Sequence, residues 1–394
     1  MDKYSLNFFN NKANQVTLGC SKSEKDFVKT FLRQLLIKET PILNHLGDFD
    51  GKLVKSEARK FSRNLEKLDL EGKTDQLVLK EAKKMIEEDS SISYDLSDIS
   101  KENAKYMEKI HKVFDGSKRK VSSGFCFHGV GFQDFLLKFE AHKFGEKYLN
   151  QTRKKIVFNI SKQIKGKGIW LFDRGNDHKK FFKDLSKKGI RFICRIKKNR
   201  LVVLKKSGKI CKVENLKPGK YEVYLLNEHN NKVEGEAVFT LVVHNHLEEK
   251  KEICLLSNLP FSKYSEPQFV QKYLERWEIE KSFKRLKTKF NLEKIRVMTF
   301  KRFVNLISLI RLAQGISTLL FYKIRNLDIT ISLQVFNFTS KLKIFLKRKY
   351  LDLNLESFLS FLGTYFSPFL KRKLPFSSNL SLFSHYALEK LSLF

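Results

Sequence analysis

The chain has 394 residues, and its 77 Lys and Arg against 43 Asp and Glu leave a net charge of +34. A chain this long buries a sizeable core without disulfide or metal staples, and a hydrophobic content of 42% excludes a disordered basic tail. The excess of positive charge calls for a polyanionic partner: nucleic acid, an anionic membrane or an acidic protein. An AT-rich genome would also encode many Lys, Asn, Ile and Phe, but codon bias does not explain the Arg, Glu and Trp clustered in residues 273–287.

Residues 1–88 lack strand alternation. EKDFVKTFLRQLLIKET and KTDQLVLKEAKKMIEED show helical spacing with charged outer faces. SISYDLSDI, RKVSSGFCFHGVGF and FLLKFEAH then read as strands. EKYLNQTRKKIVFNISKQIKGKG follows as a helix with a glycine stop. GIWLFDRG is an apolar strand that ends abruptly at Asp173, and HKKFFKDLSKKG and IRFICRI add a helix and a strand. Strands and helices in this order describe an α/β core. Between about 196 and 258, YEVYLL, EAVFTLVVH and EICLLSN read as antiparallel strands, with turn signals at Pro218-Gly219 and Asn230-Asn231. From there to the end the pattern is mostly helical, and the last stretch, KRKLPFSSNLSLFSHYALEKLSLF, reads as a docking tail.

The five cysteines (Cys20, Cys126, Cys194, Cys211 and Cys254) are scattered and show no CxxC spacing, so they read as reduced core thiols of a cytosolic protein. The N-terminus lacks the continuous apolar core of a signal peptide. FVNLISLIRLAQGISTLLFY (303–322) carries Arg311 and Gln314 mid-span, which favours a buried helix over a membrane span.

YLERWEIEKSFKRLK (273–287) reads as one helix, started by Ser265 as N-cap, with Pro267 in the first turn and Gln268 at the capping-box position. At about 100° per residue, Tyr273, Arg276, Glu280 and Lys287 fall within about a 60° stripe. Ile279, Phe283, Leu286 and Phe290 form the neighbouring apolar stripe. The plainest account is an amphipathic helix with an intrahelical Glu280–Lys284 pair, which contributes only about 0.2–0.5 kcal/mol.

Two other acidic sites bear on Glu280. Asp173 ends an apolar strand, and Asp95 lies in SYDLSD with Asp98 three residues on. Carboxylates gathered from strand ends and a helix resist ionising together. A divalent metal would neutralise them, and hard oxygens suit Mg²⁺ or Mn²⁺. Two such ions serve phosphodiester chemistry, while surrounding cations hold a phosphate backbone.

On these residues the sequence resembles the bacterial insertion-sequence DDE transposases with a Y-(2)-R-(3)-E-(6)-K signature, here Tyr273, Arg276, Glu280 and Lys287. DRG at 173–175 looks like that family's second-aspartate region. YDLSDISK at 94–101 looks like its first, with Asp95 preferred to Asp98 and Asp115 in the nearby FDGS. The resemblance covers roughly residues 90–300 and implies an RNase H-like mixed sheet flanked by helices, an antiparallel β insertion, and helical N- and C-terminal regions. The implied divisions are a helical DNA-binding domain (1–88), a first part of the catalytic core (89–195), the β insertion (196–258), a second part with the Glu helix (259–300), and a helical region suited to dimerisation (301–394).

The resemblance also implies roles. Asp95, Asp173 and Glu280 would coordinate two Mg²⁺ ions, with Mn²⁺ able to substitute. Arg276 and Lys287 would grip phosphates near the cleaved end, and Tyr273 would hydrogen-bond one. The partners would be double-stranded DNA, as terminal inverted repeats and target, and a second copy of the chain; no membrane is expected. The activity would be metal-dependent cleavage and 3′-OH strand transfer, cut-and-paste, in the bacterial cytoplasm at the nucleoid. A non-catalytic DNA-binding descendant and an RNase H-like nuclease without strand transfer are the alternatives.

Other residues have two readings each. Trp277 could stack on a base or fill the core. Arg195 and Lys198, after IRFICRI, could contact DNA or form a solvated strand end. His178 stands close to Asp173 but begins a helix. His244-Asn245-His246 has strand spacing and reads as surface rather than as a zinc site.

Overall fold

The computed structural model describes residues 3–325, apart from 39, 47–53, 103, 105, 116–118, 144–147, 228, 230–232, 234–236 and 247–250. The turn signal at Asn230-Asn231 and the docking tail lie outside the described residues. The chain divides into two compact units: residues 1–81, 104–108 and 285–394 form one, and residues 82–103 and 109–284 the other.

In the first unit the helices are α1 (Lys3–Val16), α2 (Lys22–Lys38), α3 (Leu43–Leu46), α4 (Val54–Lys67) and α5 (Glu71–Ala82). The second unit carries strands β1 (Ser91–Ser100), β2 (His111–Asp115), β3 (Lys120–Phe132) and β4 (Phe135–Ala141), then α6 (Leu149–Gln163), β5 (Ile169–Phe172), α7 (Lys179–Lys187) and β6 (Phe192–Arg195). Five further strands follow: β7 (Leu201–Leu204), β8 (Ile210–Lys212), β9 (Gly219–Leu225), β10 (Phe239–His246) and β11 (Lys251–Ser257). The helices α8 (Glu266–Leu274), α9 (Trp277–Lys289) and α10 (Phe300–Arg325) complete the described chain, and α10 returns to the first unit.

Within the first unit, α10 is apolar on nearly every side and is buried accordingly. Phe300–Leu320 is long and apolar enough to cross a membrane, yet 89% of that window is buried inside the protein. Arg311, mid-span, is buried and pairs with Asp75 of α5 at 2.5 Å. Asn305 clamps the α4–α5 turn: its amide donates to the Leu65 and Leu68 carbonyls and its Oδ1 accepts the Leu70 N–H. That accounts for polar residues inside an apolar helix.

In the second unit, β1 pairs antiparallel with β3, and β3 antiparallel with β4. On its other side β1 runs parallel to β5, and β5 parallel to β6. The core order β4-β3-β1-β5-β6, with α6 and α7 as crossovers, is an RNase H-like mixed sheet flanked by helices. Ile169, Trp170, Leu171 and Phe172 are all buried, as a central parallel strand covered on both faces requires. The inserted strands β7–β11 form antiparallel pairs, and β11 pairs with β6, so the insertion extends the same sheet to eleven strands. The stop of α6 is left-handed at both Lys165 and Gly166, with the Gly166 N–H bonded to the Ser161 carbonyl.

Two expectations fail here. Residues 273–287 are not one helix: α8 ends at Leu274 and α9 begins at Trp277. The joint is a tightened turn in which the N–H groups of Arg276, Glu278 and Ile279 each bond three residues back. The capping box that starts α8 is present, with the Ser265 N–H bonded to Gln268 Oε1 at 2.8 Å. Among the cysteines, Cys126, Cys194 and Cys254 are buried, whereas Cys20 and Cys211 are partly exposed and so are not core thiols.

Candidate active site

The site is built on one level of the sheet. The last parallel pair of β1 and β5 is Tyr94 with Phe172, and the last of β5 and β6 is Phe172 with Cys194. The next residues are Asp95, Asp173 and Arg195, which therefore stand level on three adjacent strands. Neighbouring strands lie about 4.8 Å apart, and level residues share a face. On its other side Asp95 pairs with Gly129 of β3. The face is fixed by alternation: Ile169, Leu171 and Ile193 pack on the same side, in one cluster with Phe269, Val270 and Tyr273 of α8.

Glycines let the Glu280 helix lie against this face. A β-carbon at Gly129 would come within 2.3 Å of the Phe283 ring, and one at Gly131 within 3.2 Å of Ile279. Phe283 therefore occupies the space beside Asp95 that a side chain at position 129 would fill. Ile279, Phe283, Leu286 and Phe290 are all buried, as the apolar stripe requires.

Arg276 joins two of the carboxylates. Its Nη1 donates to Asp95 Oδ2 at 3.1 Å, and its Nη2 to Glu280 Oε1 at 2.6 Å. Arg276 is only 7% exposed, and its Nε finds no hydrogen-bond partner among the described residues. The guanidinium also lies 5.9 Å from the Tyr273 ring and 5.7 Å from the Trp277 ring. The intrahelical partner seen on Glu280 is thus Arg276, at i−4.

Electrostatics set Asp95 apart. Burial, followed by the charge of Asp173, pushes its carboxyl up to about 7; Arg276 and the Leu96 N–H pull it down, and Glu280 pushes it up again. Burial alone would lower the guanidinium pKa of Arg276, but Tyr273, Asp95 and Glu280 together raise it above the ordinary arginine value. Asp95 thus senses both other acids, and Arg276 is the counter-charge that Asp95 and Glu280 share. Among the described residues, no group of three or more His, Cys, Asp or Glu is gathered closely enough to hold a metal ion as it stands.

Asp173 is held from behind. The Asn176 amide donates to its Oδ1, and Arg153 Nη1 donates to Asn176 Oδ1 at 2.8 Å. A β-carbon at Gly175 would lie 3.3–3.4 Å from both carboxylate oxygens.

The rival aspartates lie elsewhere. Asp98, three residues along β1, faces the other side, where it pairs with Cys126 and helps raise that thiol's pKa after burial. Asp115 pairs with Lys120, at the far end of β3 from Gly129. Tyr273 is 3% exposed and sits in the core cluster, with burial pushing its hydroxyl up to about 12. Trp277 is 50% exposed, which overturns the core reading and leaves its face open. Lys287 lies two turns beyond Glu280 on α9. Lys198 is paired with Glu252 at 2.8 Å, and Arg195 is partly buried beside Asp173. His178 is exposed as the N-cap of α7, and His244 is paired with Glu266 rather than poised for zinc. Sequence reasoning missed Arg153 and Asn176; the only local hint was Asn176, three residues past Asp173.

The fold and site together are a mixed α/β sheet in which Asp95, midway along β1, stands level with Asp173 just past the end of β5, with Glu280 on a helix packed against that sheet. Residues 138–315 match the model of a transposase DDE domain family, a span that takes in Asp173 and Glu280 and begins after Asp95. Among solved structures, the chain is similar to a piggyBac transposase in a synaptic complex with hairpin DNA, determined by cryo-EM. The identity is 12%, 99% of this chain and 87% of that chain are covered, and the TM-score is 0.46. A likeness at that level assigns neither fold nor function. No curated protein matches the sequence.

Proposed function

We propose that this chain is a DNA transposase of the bacterial insertion-sequence type with a Y-R-E-K helix. It would cut at the terminal inverted repeats of its element and join the freed 3′-hydroxyl to target DNA. The observation that carries this reading is the level placement of Asp95 and Asp173 on parallel β1 and β5, with Glu280 tied to Asp95 through Arg276.

The donor set fits a divalent metal. Hard carboxylate oxygens come from three elements, and the carboxyl of Asp95 is pushed up by burial first and then by the charge of Asp173, a repulsion that a bound cation would relieve. Asp95, Asp173 and Glu280 would hold two Mg²⁺ ions, or Mn²⁺ in their place. Bound there, the metal would activate water or a 3′-hydroxyl and neutralise the leaving oxygen.

The chain's own residues bind and orient. Arg276 limits the repulsion between Asp95 and Glu280 and stands at hand for a phosphate. Tyr273, buried beside it, steadies that guanidinium. Arg195, level with Asp173, and Lys198 and Lys287 add cations for the DNA backbone. Trp277 offers an exposed face to a base. The net charge of +34 supports DNA as the partner, with affinity that falls as salt rises. Joining two ends calls for two copies, so a homodimer is the working form on DNA, at the bacterial nucleoid.

The test uses the purified chain, Mg²⁺ and DNA bearing the inverted repeats that flank its gene. Cleavage at the ends and joining of precleaved ends to a plasmid are expected. Asp173→Ala and Glu280→Ala should each abolish both while DNA binding persists. Cleavage retained in both variants overturns the reading. Cleavage without joined product assigns a nuclease, and binding alone a non-catalytic DNA-binding protein.

A further inference from the structure

Asp173 stands at the end of β5 with Oδ1 and Oδ2 that could point several ways. The chain turns at once into a 3-10 turn, Arg174–Asn176, whose Asn176 N–H bonds back to the Asp173 carbonyl at 3.1 Å. That turn brings the Asn176 side chain onto the Asp173 carboxylate. An amide has one accepting end and one donating end, and either could face a neighbour. Arg153 decides which. A guanidinium only donates, so the end of Asn176 that faces Arg153 must be Oδ1, and the end that faces Asp173 must be the NH₂.

Both members are locked. Asn176 and Arg153 are each 5% exposed, and the Arg153 guanidinium lies 4.2 Å from the Phe181 ring of α7. Phe181 in turn packs edge-on against Phe172, the residue before Asp173. The network therefore reaches Asp173 through the covalent chain and through hydrogen bonds at once.

We infer that Arg153 and Asn176 are positioning residues for the candidate active site: Arg153 fixes the polarity of the Asn176 amide, which ties Asp173 Oδ1 and leaves Oδ2 free to take a divalent cation. The inference rests on the reading of Asp173 as a metal ligand. It differs from a purely structural role because it acts on the aim of one carboxylate. Partners behind a ligating carboxylate typically change metal affinity by about 10–100-fold when removed.

The experiment titrates Mn²⁺ into the purified full chain without DNA, by calorimetry or by the loss of the free-ion EPR signal. Four proteins besides wild type are compared: Asn176→Ala, Arg153→Met, the double variant and Asp173→Asn. Arg153→Met keeps an unbranched chain in the buried volume while removing the donor to Asn176, and unfolding curves confirm that the variant is folded before it is titrated. Asp173→Asn should abolish tight Mn²⁺ binding; if it leaves binding unchanged, the metal-ligand reading itself fails. With that control met, Asn176→Ala and Arg153→Met should each weaken Mn²⁺ binding by about 10–100-fold. The double variant should lose no more than the weaker single variant, because both act through one amide. Arg153→Lys, which keeps a donor, should bind within a few-fold of wild type. Mn²⁺ affinity within twofold of wild type in folded Arg153→Met overturns the inference, and so do additive losses in the double variant. If Asn176→Ala fails to fold, Arg153→Met and Arg153→Lys decide alone.

Discussion

Asp95 and Asp173 stand level on the parallel strands β1 and β5, one residue beyond the last paired positions, Tyr94 and Phe172. Two carboxylates at strand spacing on one face repel each other, and Arg276, reaching Asp95 from the adjacent turn, offsets part of that repulsion. The carboxyl of Asp95 is pushed up to about 7, by burial first and then by Asp173.

That shift makes stability depend on pH in a definite direction. The native state holds the Asp95 proton more tightly than the unfolded chain, whose value is the ordinary 3.8. Below about pH 4 both states are protonated and Asp95 carries no penalty. As pH rises toward 7 the unfolded state ionises first, so wild type loses stability relative to Asp95→Asn; above 7 the gap is constant. The gap should widen by on the order of 1–3 kcal/mol between pH 4.5 and pH 8. Urea unfolding of both proteins at the two pH values measures it, and Mg²⁺ at pH 8 should narrow it. A gap that does not change with pH would remove the electrostatic account of Asp95.

Arg276 should matter to stability before it matters to DNA. Arg276→Met leaves Asp95 and Glu280 without their shared partner, which should cost about 2–4 kcal/mol at pH 8. The cost should be smaller at pH 5, where Asp95 is protonated. Arg276→Lys should recover only part, because one ammonium cannot serve two carboxylates in the forked geometry seen here. Equal losses for Met at both pH values would show that packing, not charge, holds the turn.

Much of this architecture was legible in the sequence, and the exceptions share a cause. IWLF followed by Asp-Arg-Gly marks a buried strand that stops at a carboxylate, and Ser265 with Gln268 marks the start of α8. Strand alternation puts Asp95 and Asp98 on opposite faces but cannot say which face meets α9; Gly129, opposite Asp95 and under Phe283, says so only once the strands are paired. The break at Glu275–Arg276 has no Gly or Pro to announce it. It is accompanied by an ion pair to Asp95, 181 positions away, which no local pattern encodes. Because the helix breaks there, a single angular projection does not run through from Tyr273 to Glu280. Arg153 was hidden for the same reason: a helix position in α6 gains its meaning only from a turn after β5.

Gly129 should tolerate no side chain while Phe283 is present. A β-carbon there would lie 2.3 Å from the ring, which is buried and packed at 5.7 Å against Phe139. Gly129→Ala should therefore cost about 1–3 kcal/mol. Phe283→Leu removes the obstructing edge of the ring, so the double variant should be more stable than the sum of the two single losses predicts. Chemical denaturation of the four proteins gives the coupling. Strict additivity would mean that the helix does not rest on this glycine.

Gly175 separates fold from chemistry most sharply. It is exposed, and its backbone is outside the left-handed region, so Ala there should change stability by no more than about 0.5 kcal/mol. Its β-carbon, however, would press on both oxygens of Asp173 at 3.3–3.4 Å, and Oδ1 is already tied to Asn176. The carboxylate must turn aside, and a displacement of this kind at a reacting centre can cost about 100-fold in rate. Gly175→Ala should thus lower cleavage at the element's ends by about tenfold or more, and Gly175→Val further, with unfolding curves that overlay wild type. The order Gly, Ala, Val in rate against a flat series in stability is the expected pattern. Cleavage that follows stability instead would place Asp173 outside the chemistry and return Gly175 to the turn.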